Sequence, residues 1–222
     1  MRLLLRAIVD GPDASVADDL GLRSVPGGRV AALASPWDTA GVVGEADLLE
    51  HHGFIQAVFE RVPCLPARFG SVFPDEAALR ARLAEREAEL ASQLARLGHR
   101  CELAITCAWR DTRAVAPTAI VPVRSGRAYL ERGAERQRDE RGREGRAEEI
   151  ATRLLAELAV EPALVRHRTC PRPAVAVSMS VLVTRDEIGG INSRLERLSA
   201  QLPDVTTVVQ GPWAPYTFAV SE

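Results

Sequence analysis

The first half of the chain alternates between short apolar runs and longer segments with helical spacing. Residues 3–9 and 29–35 are nearly continuous apolar runs of strand length and predict two β-strands, and the glycine- and proline-rich segment between them predicts turns. Residues 101–109 predict a further strand. With the helices described next, these strands predict an α+β fold whose N-terminal domain, residues 1–112, is ferredoxin-like.

Two helices are predicted between these strands. In the first, over residues 45–62, apolar and aromatic positions step by four and three along one face, which comprises Leu48, His52, Ile55, Phe59 and Val62. In the second, Asp75 is placed to cap the N-terminus and Gly98 to end the helix. Its apolar stripe comprises Leu79, Leu83, Leu90, Leu94 and Leu97. Each helix therefore presents one face to a core.

The second half predicts another α+β domain, over residues 125–222, after a proline-punctuated linker at 113–124. A long helix comes first, followed by two strands, of which the second is almost entirely apolar and therefore central in its sheet. The last helix carries its apolar positions at Ile188, Ile191, Leu195, Leu198 and Leu202. The final segment predicts a strand that a Gly-Pro-Trp turn interrupts. We expect a smaller sheet with a long helix.

Composition and charge exclude several classes of function. The 222 residues are 46% hydrophobic and 26% charged, as in an ordinary soluble globular protein. A net charge of -2 gives no reason to expect nucleic acid or an acidic membrane surface as a partner. All 28 basic residues are arginine, which excludes Schiff-base lysines and phosphate loops with lysine. The start of the chain is too soon broken for a signal peptide and no run of eighteen apolar residues occurs, which predicts a cytoplasmic protein without a membrane span.

Candidate catalytic chemistry is sparse. His51 and His52 are adjacent, so on a helix they diverge by about 100° and cannot comfortably share a metal. The four cysteines lack zinc spacing and predict buried free thiols; they are Cys64, Cys101, Cys107 and Cys170. We therefore expect no catalytic residue, no metal and no cofactor. Two alternatives stay open: a small enzyme that uses Cys64 with His51 or His52, and a regulatory ligand-binding protein.

Two short motifs carry a family resemblance. The stretch LPARFGSVF, residues 65–73, follows a histidine-bearing helix, and GPWAPYTF, residues 211–218, lies near the C-terminus. SGRAYLERGAE at 125–135 and AVAVSMSVLVTRDEIGGI at 174–191 lie between them in the same order. The set resembles the gas vesicle protein GvpL/GvpF family. The departures are Ser71 for a usual threonine, Ala67 for a larger aliphatic residue, and Ala214 for a proline, and none removes the centre of a motif.

The resemblance implies a non-enzymatic accessory protein of gas vesicle assembly. Such a protein has two α+β domains and binds the small hydrophobic shell subunit and other gas vesicle accessory proteins. It acts as a minor structural component on the gas-facing side of the shell, or as a nucleation or chaperone-like factor. The motif residues expected to serve interaction are Pro66, Arg68, Phe69, Gly70, Phe73, Trp213, Pro215 and Tyr216.

The chemistry of the motifs adds local expectations. Pro66 lacks an amide donor and should end a strand, and Gly70 can take a positive φ where the backbone turns. Arg68 and Phe69 should point in opposite directions, one inward and one outward. For Trp213 two interpretations stay open. Its ring closes the core of the second domain, or its segment is partly exposed and contacts a partner or the first domain.

Overall fold

Two antiparallel sheets organise the chain. The computed structural model describes residues 1–11, 14–38, 44–110 and 126–219. The chain divides into two compact units, Met1–Glu102 with Pro212–Glu222, and Leu103–Gly211. The last segment, Pro212–Glu222, was predicted within the second domain, whereas its contacts assign it to the first unit. The predicted linker at 113–124 lies outside the described residues.

The first unit has the ferredoxin-like order of strands. Its elements are β1 (Leu3–Asp10), α1 (Ala14–Asp19), β2 (Arg23–Gly27), β3 (Val30–Pro36), α2 (Glu45–Phe59), β4 (Cys64–Pro66), β5 (Val72–Phe73) and α3 (Glu76–Leu97). The strands lie in the order β2-β3-β1-β4, all paired antiparallel, and β5 also pairs with β1. This βαββαβ arrangement confirms the predicted fold class, and β2 and α1 replace the turns predicted between β1 and β3.

Helices α2 and α3 cover opposite faces of the first sheet. A Cβ on Gly27 would lie 2.4 Å from the Cβ of Leu83, so only glycine lets α3 approach β2 this closely. Val30 pairs with Gly27 and therefore shares its face, and alternation along β3 then turns Ser35 to the other face. There the Ser35 hydroxyl binds Arg6, which in turn reaches α2. The sheet is therefore buried on both sides.

The predicted stripe of α3 is confirmed, and that of α2 is confirmed only at Ile55 and Phe59. All five leucines of the α3 stripe are buried, Asp75 accepts a hydrogen bond from the Ala78 amide at 2.8 Å, and Gly98 ends the helix with a φ of +53°. In α2 the buried residues are His51, Ile55, Val58 and Phe59. Leu48 is instead 49% exposed, and His51, which contacts Arg6, takes the buried position at the start of this face.

The second unit repeats the same order of strands. Its elements are β6 (Cys101–Trp109), α4 (Gly126–Leu158), β7 (Val165–Arg172), β8 (Val175–Val183), α5 (Ile188–Ala200) and β9 (Val205–Trp213). The short helix α6 (Tyr216–Ala219) comes after β9 and belongs to the first unit. The sheet order β7-β8-β6-β9 is again that of a βαββαβ unit. The smaller sheet, the central position of β8 and the long helix were all predicted; the repetition of the topology was not.

Two details of the second unit correct the sequence analysis. The strand β9 runs through Gly211, Pro212 and Trp213, where a turn was predicted. Gly211 takes a φ of +120° inside the strand, a conformation that favours glycine. In α5 the residues Ile191, Leu195 and Leu198 are buried as expected, but Ile188 at its start is only half-buried. Among the described residues, no helix is long and apolar enough to cross a bilayer.

Candidate functional site

A buried arginine lies behind the first motif. Arg6 on β1 is only 2% exposed, and such burial of a charge requires partners for each donor. Its Nε donates to the Ser35 hydroxyl at 3.0 Å and its Nη2 to the Glu50 carboxylate at 3.1 Å. The guanidinium also lies 4.7 Å from the ring centroid of Phe54. Arg6 thus ties β1 and β3 to α2.

His51 links this arginine to the turn motif. Nη1 of Arg6 lies 3.2 Å from Nδ1 of His51, and Nε2 of His51 lies 3.0 Å from the carbonyl oxygen of Ala67. Because a guanidinium only donates, Nδ1 accepts and the ring proton is on Nε2. Burial lowers the pKa of His51. The hydrogen bond to the Ala67 carbonyl raises this pKa and the neighbouring Arg6 charge lowers it, and the net result is a pKa below the ordinary value. A neutral His51 therefore holds the backbone of the motif.

The turn motif closes this connection and presents Arg68 at the surface. The Ala67 amide donates back to the Arg6 carbonyl at 2.9 Å, immediately after β4 ends at Pro66. Gly70 takes a φ of +88°, as its place in the turn predicts. The Phe69 ring packs edge-on against His51 at 5.2 Å, while Arg68 is exposed. The opposite orientation of Arg68 and Phe69 agrees with the sequence analysis.

Further contacts complete the turn. Phe69 also meets Trp37 edge-on, with ring centroids 6.0 Å apart. Phe73 lies in β5, pairs with Leu3 and is half-buried. The Ser71 carbonyl accepts from the Leu5 amide at 3.0 Å. The segment is therefore fixed to β1 on both sides of the turn, at residues 64–67 and at residues 71–73.

His52, the next residue of α2, holds the second motif. Its Nδ1 shares a 2.8 Å hydrogen bond with the Tyr216 hydroxyl, and the two rings stack with centroids 5.7 Å apart. Trp213 packs edge-on against the same imidazole at 5.3 Å. Trp213 is half-buried on the first unit, which decides against the interpretation that it closes the core of the second domain. Adjacent histidines thus hold the two motifs.

The rest of the C-terminal segment is held by hydrogen bonds to the side chains of Gln56 and Glu102 in the first unit. The Gln56 side chain accepts from the Ala214 amide at 2.8 Å and donates to the Pro212 carbonyl at 3.4 Å. The buried Glu102 carboxylate accepts from the Thr217 amide and hydroxyl. Pro215 is buried among these contacts. Burial raises the pKa of Tyr216, and the neighbouring Cys64 and Glu102 raise it further, so its hydroxyl stays protonated.

Exposed leucines accompany the two motifs on α2. Leu48 precedes His51 by three positions and His52 by four, so it lies one turn before both and between the directions of their side chains. Leu48 is 49% and Leu49 is 63% exposed. We call the set comprising Leu48, Leu49, Arg68, Phe69, Trp213 and Tyr216 the two-motif surface. It comprises two exposed leucines, three half-buried aromatic rings and one exposed arginine.

The geometry gives little support to thiol catalysis at this place. Burial raises the pKa of Cys64 to about 12, so the thiol stays protonated at neutral pH. Both ring nitrogens of His51 are occupied, and Nδ1 of His52 binds Tyr216. Over the residues that the structure describes, no group of three or more histidine, cysteine or acidic side chains is placed to hold a metal ion.

A family model now adds to this geometry. The model described as gas vesicle synthesis protein GvpL/GvpF matches residues 7–220, which is nearly the whole chain. The chain belongs to the GvpL/GvpF family. Membership associates it with the assembly of gas vesicles, as the motifs predicted. A comparison with curated protein sequences gives no match.

Solved structures of GvpF proteins share the fold. The chain is similar to the crystal structure of gas vesicle protein GvpF from Anabaena sp. PCC7120, with a TM-score of 0.78, 17% identity, and coverage of 100% of this chain and 97% of that one. The GvpF structure from Microcystis aeruginosa gives a TM-score of 0.77 and 16% identity, with 99% of each chain covered. At these identities the likeness shows the two-unit fold alone.

Four residues that hold the motifs were not predicted from the sequence: Arg6, Glu50, Gln56 and Glu102. Arg6 and Glu102 each stand inside a predicted strand, where a lone charge among apolar residues signals a buried polar partner. The lone charges are visible in the sequence, but the residues with which they form hydrogen bonds are not.

Proposed function

We propose that this GvpL/GvpF family member is a non-enzymatic assembly factor that binds the small hydrophobic shell subunit of the gas vesicle through the two-motif surface. The observation that carries the proposal is the exposed Leu48 between two histidines that each hold one family motif. Isolated exposed leucines are common, but exposed leucines flanked by half-buried aromatic rings are typical of protein interfaces.

The composition of the surface supports a hydrophobic partner. Trp213, Tyr216 and Phe69 are half-buried, so their rings are already oriented by His51 and His52 and lose little side-chain entropy on binding. Arg68, which is exposed in the same turn as Phe69, supplies a long side chain whose methylenes can cover apolar area of a partner while its charge stays solvated. Such a surface suits a small apolar subunit that must be kept from aggregating before it joins the shell.

Complementation tests this proposal. In a strain that lacks the chain, the double variant Leu48→Glu/Leu49→Glu should leave vesicle formation close to the level of the empty strain, since two charges are placed in the apolar contact. Leu130→Glu is the matched control, because Leu130 on α4 is 72% exposed and lies outside the two-motif surface. The control should restore vesicles fully. Normal vesicles in the empty strain would overturn the assembly role itself.

The place of the protein in the vesicle is a separate part of the proposal. We expect it at the gas-facing side of the shell, where an apolar surface meets the inner wall. Antibody labelling should then be absent on intact vesicles and appear after their collapse. Equal labelling of both preparations would move the protein to the outer side and leave the binding proposal standing.

A further inference from the structure

The longer outer strands of the two sheets differ in how they are protected, whereas β5, with two residues, is protected by its short length. An edge strand exposes unpaired backbone groups, and proteins usually blunt it with charges, proline or short length. β7 carries Arg166, Arg168, Pro171 and Arg172; β2 carries Arg23 and Pro26; β4 spans only three residues and ends in Pro66. Each of these three edges has at least one of the usual devices.

The remaining edge strand, β9, is long and carries neither a charge nor a proline over most of its length. It spans nine residues, and its first five are all β-branched: Val205, Thr206, Thr207, Val208 and Val209. It has no charged residue, and its proline comes only at position 212. In the part of the chain that the structure describes, β9 pairs with β6 on one side and with no strand on the other. The β9 edge therefore lacks the usual features that prevent an edge strand from pairing with another strand.

A groove runs between this edge and helix α5. Its volume is about 380 Å³, and it is lined by Asn192, Leu195, Glu196, Ser199, Thr207 and Val209. Thr207 and Val209 alternate with Thr206 and Val208, so every second residue of β9 faces the groove. A strand added beside β9 would likewise place every second side chain there. Grooves between a helix and an edge strand are a recurrent site for extended peptides.

The charge of the groove favours a basic occupant. The carboxylate of Glu196, an exposed residue of α5, lines the groove together with Thr207 and Val209 of β9. A Lys or Arg side chain placed there would donate hydrogen bonds to this carboxylate and neutralise its charge. We therefore propose that β9 and α5 bind an extended segment of another protein that adds as a strand to β9 and places one basic side chain against Glu196.

Peptide display tests the proposal on the full-length chain. A random octapeptide library is selected on the parent protein, on Glu196→Lys and on Glu161→Lys, which makes the same charge change at an exposed position outside the groove. The parent and Glu161→Lys should enrich peptides that alternate β-branched residues with one Lys or Arg. Glu196→Lys should bind the selected peptides at least about tenfold more weakly, because a close attraction becomes a repulsion.

Amide hydrogen exchange then locates the bound peptide. The best selected peptide should slow exchange along Val205–Gln210 and leave the exchange of β7 unchanged. Enriched peptides without alternation or a basic residue, or equal binding by Glu196→Lys, would overturn the proposal. So would protection of β9 that depends on protein concentration without peptide, since the edge would then pair with a second copy.

Discussion

The turn at 64–73 and the C-terminal segment at 211–218 are held by neighbouring histidines in different ways. The turn is held through His51 by the buried charge of Arg6, which is 2% exposed. The C-terminal segment is held by part-buried hydrogen bonds to His52 and Gln56, and at its end by the carboxylate of Glu102, whose partner Thr217 is exposed. A buried charge that loses a partner destabilises a whole domain, whereas a part-buried bond can be exchanged for water. The turn should therefore unfold only with its unit, and the segment should detach alone.

The largest effect is expected from Arg6→Ala. It removes the donor to Ser35, His51 and Glu50 and leaves a space beside Phe54. We expect a loss of about 3–5 kcal/mol in the free energy of unfolding, measured by denaturant titration. Arg6→Met keeps most of the volume without the charge and is the control for packing. A loss under about 1 kcal/mol for Arg6→Ala would show that the network is not structural.

His51→Ala should cost somewhat less, about 2–4 kcal/mol, because it leaves the Arg6 Nη1 and the Ala67 carbonyl without their bonds. The same residue predicts a dependence on pH. Its folded pKa is below the ordinary value of 6.5, so the unfolded chain binds more protons as the pH falls below 6.5. Stability should therefore decline from pH 6.5 downward.

The non-titrating variant His51→Gln isolates this effect of pH. The difference in unfolding free energy between the parent and His51→Gln should shrink or change sign as the pH falls from 7 to 5.5. Carboxylates that titrate in both proteins cancel in that difference. A difference independent of pH would mean that His51 is not held neutral.

The C-terminal segment should respond more weakly. His52→Ala and Tyr216→Phe should each cost about 1 kcal/mol, and the double variant should cost less than their sum, since both remove one hydrogen bond. Limited proteolysis should release residues 211–222 from His52→Ala faster than from the parent, with the rest of the unit intact. Cooperative loss of the whole first unit would erase the distinction between the two segments.

The smallest change in stability is expected from Arg68→Ala. Arg68 is exposed, and exposed positions away from a network usually change stability by less than about 0.5 kcal/mol. Its melting temperature should equal that of the parent, while its vesicle yield in the complementation assay should fall. An unchanged yield would remove Arg68 from the two-motif surface.

Part of this structure could be predicted from the sequence, where local patterns determine it. The leucine stripe of α3, the Asp75 cap and the turn at Gly70 follow from local periodicity and backbone chemistry, so they were predicted. The edge strand β2 was missed because Pro26 and Gly27 resemble a turn. Pro26 is tolerated at a sheet edge, and Gly27 is needed there for the approach of Leu83.

The partners of the site could not be predicted for a related reason. His51 joins Ile55, Val58 and Phe59 on the buried face of α2 because Arg6 lies opposite it, 45 positions away along the chain. The C-terminal segment joins the first unit through Gln56 and Glu102, which are ordinary polar residues in the sequence. Long-range pairs of this kind leave no local periodicity, so the motifs were visible but the residues that hold them were not.

Site-specific photo-crosslinking tests the central claim most directly. A photoreactive benzoylphenylalanine at position 48 should form an adduct with the shell subunit when the two proteins are produced together, and mass spectrometry identifies the adduct. The same group at position 130, where Leu130 is more exposed than Leu48, should form none. An adduct at position 130 and none at position 48, in cells that form vesicles, would contradict the claim that the two-motif surface binds the shell subunit.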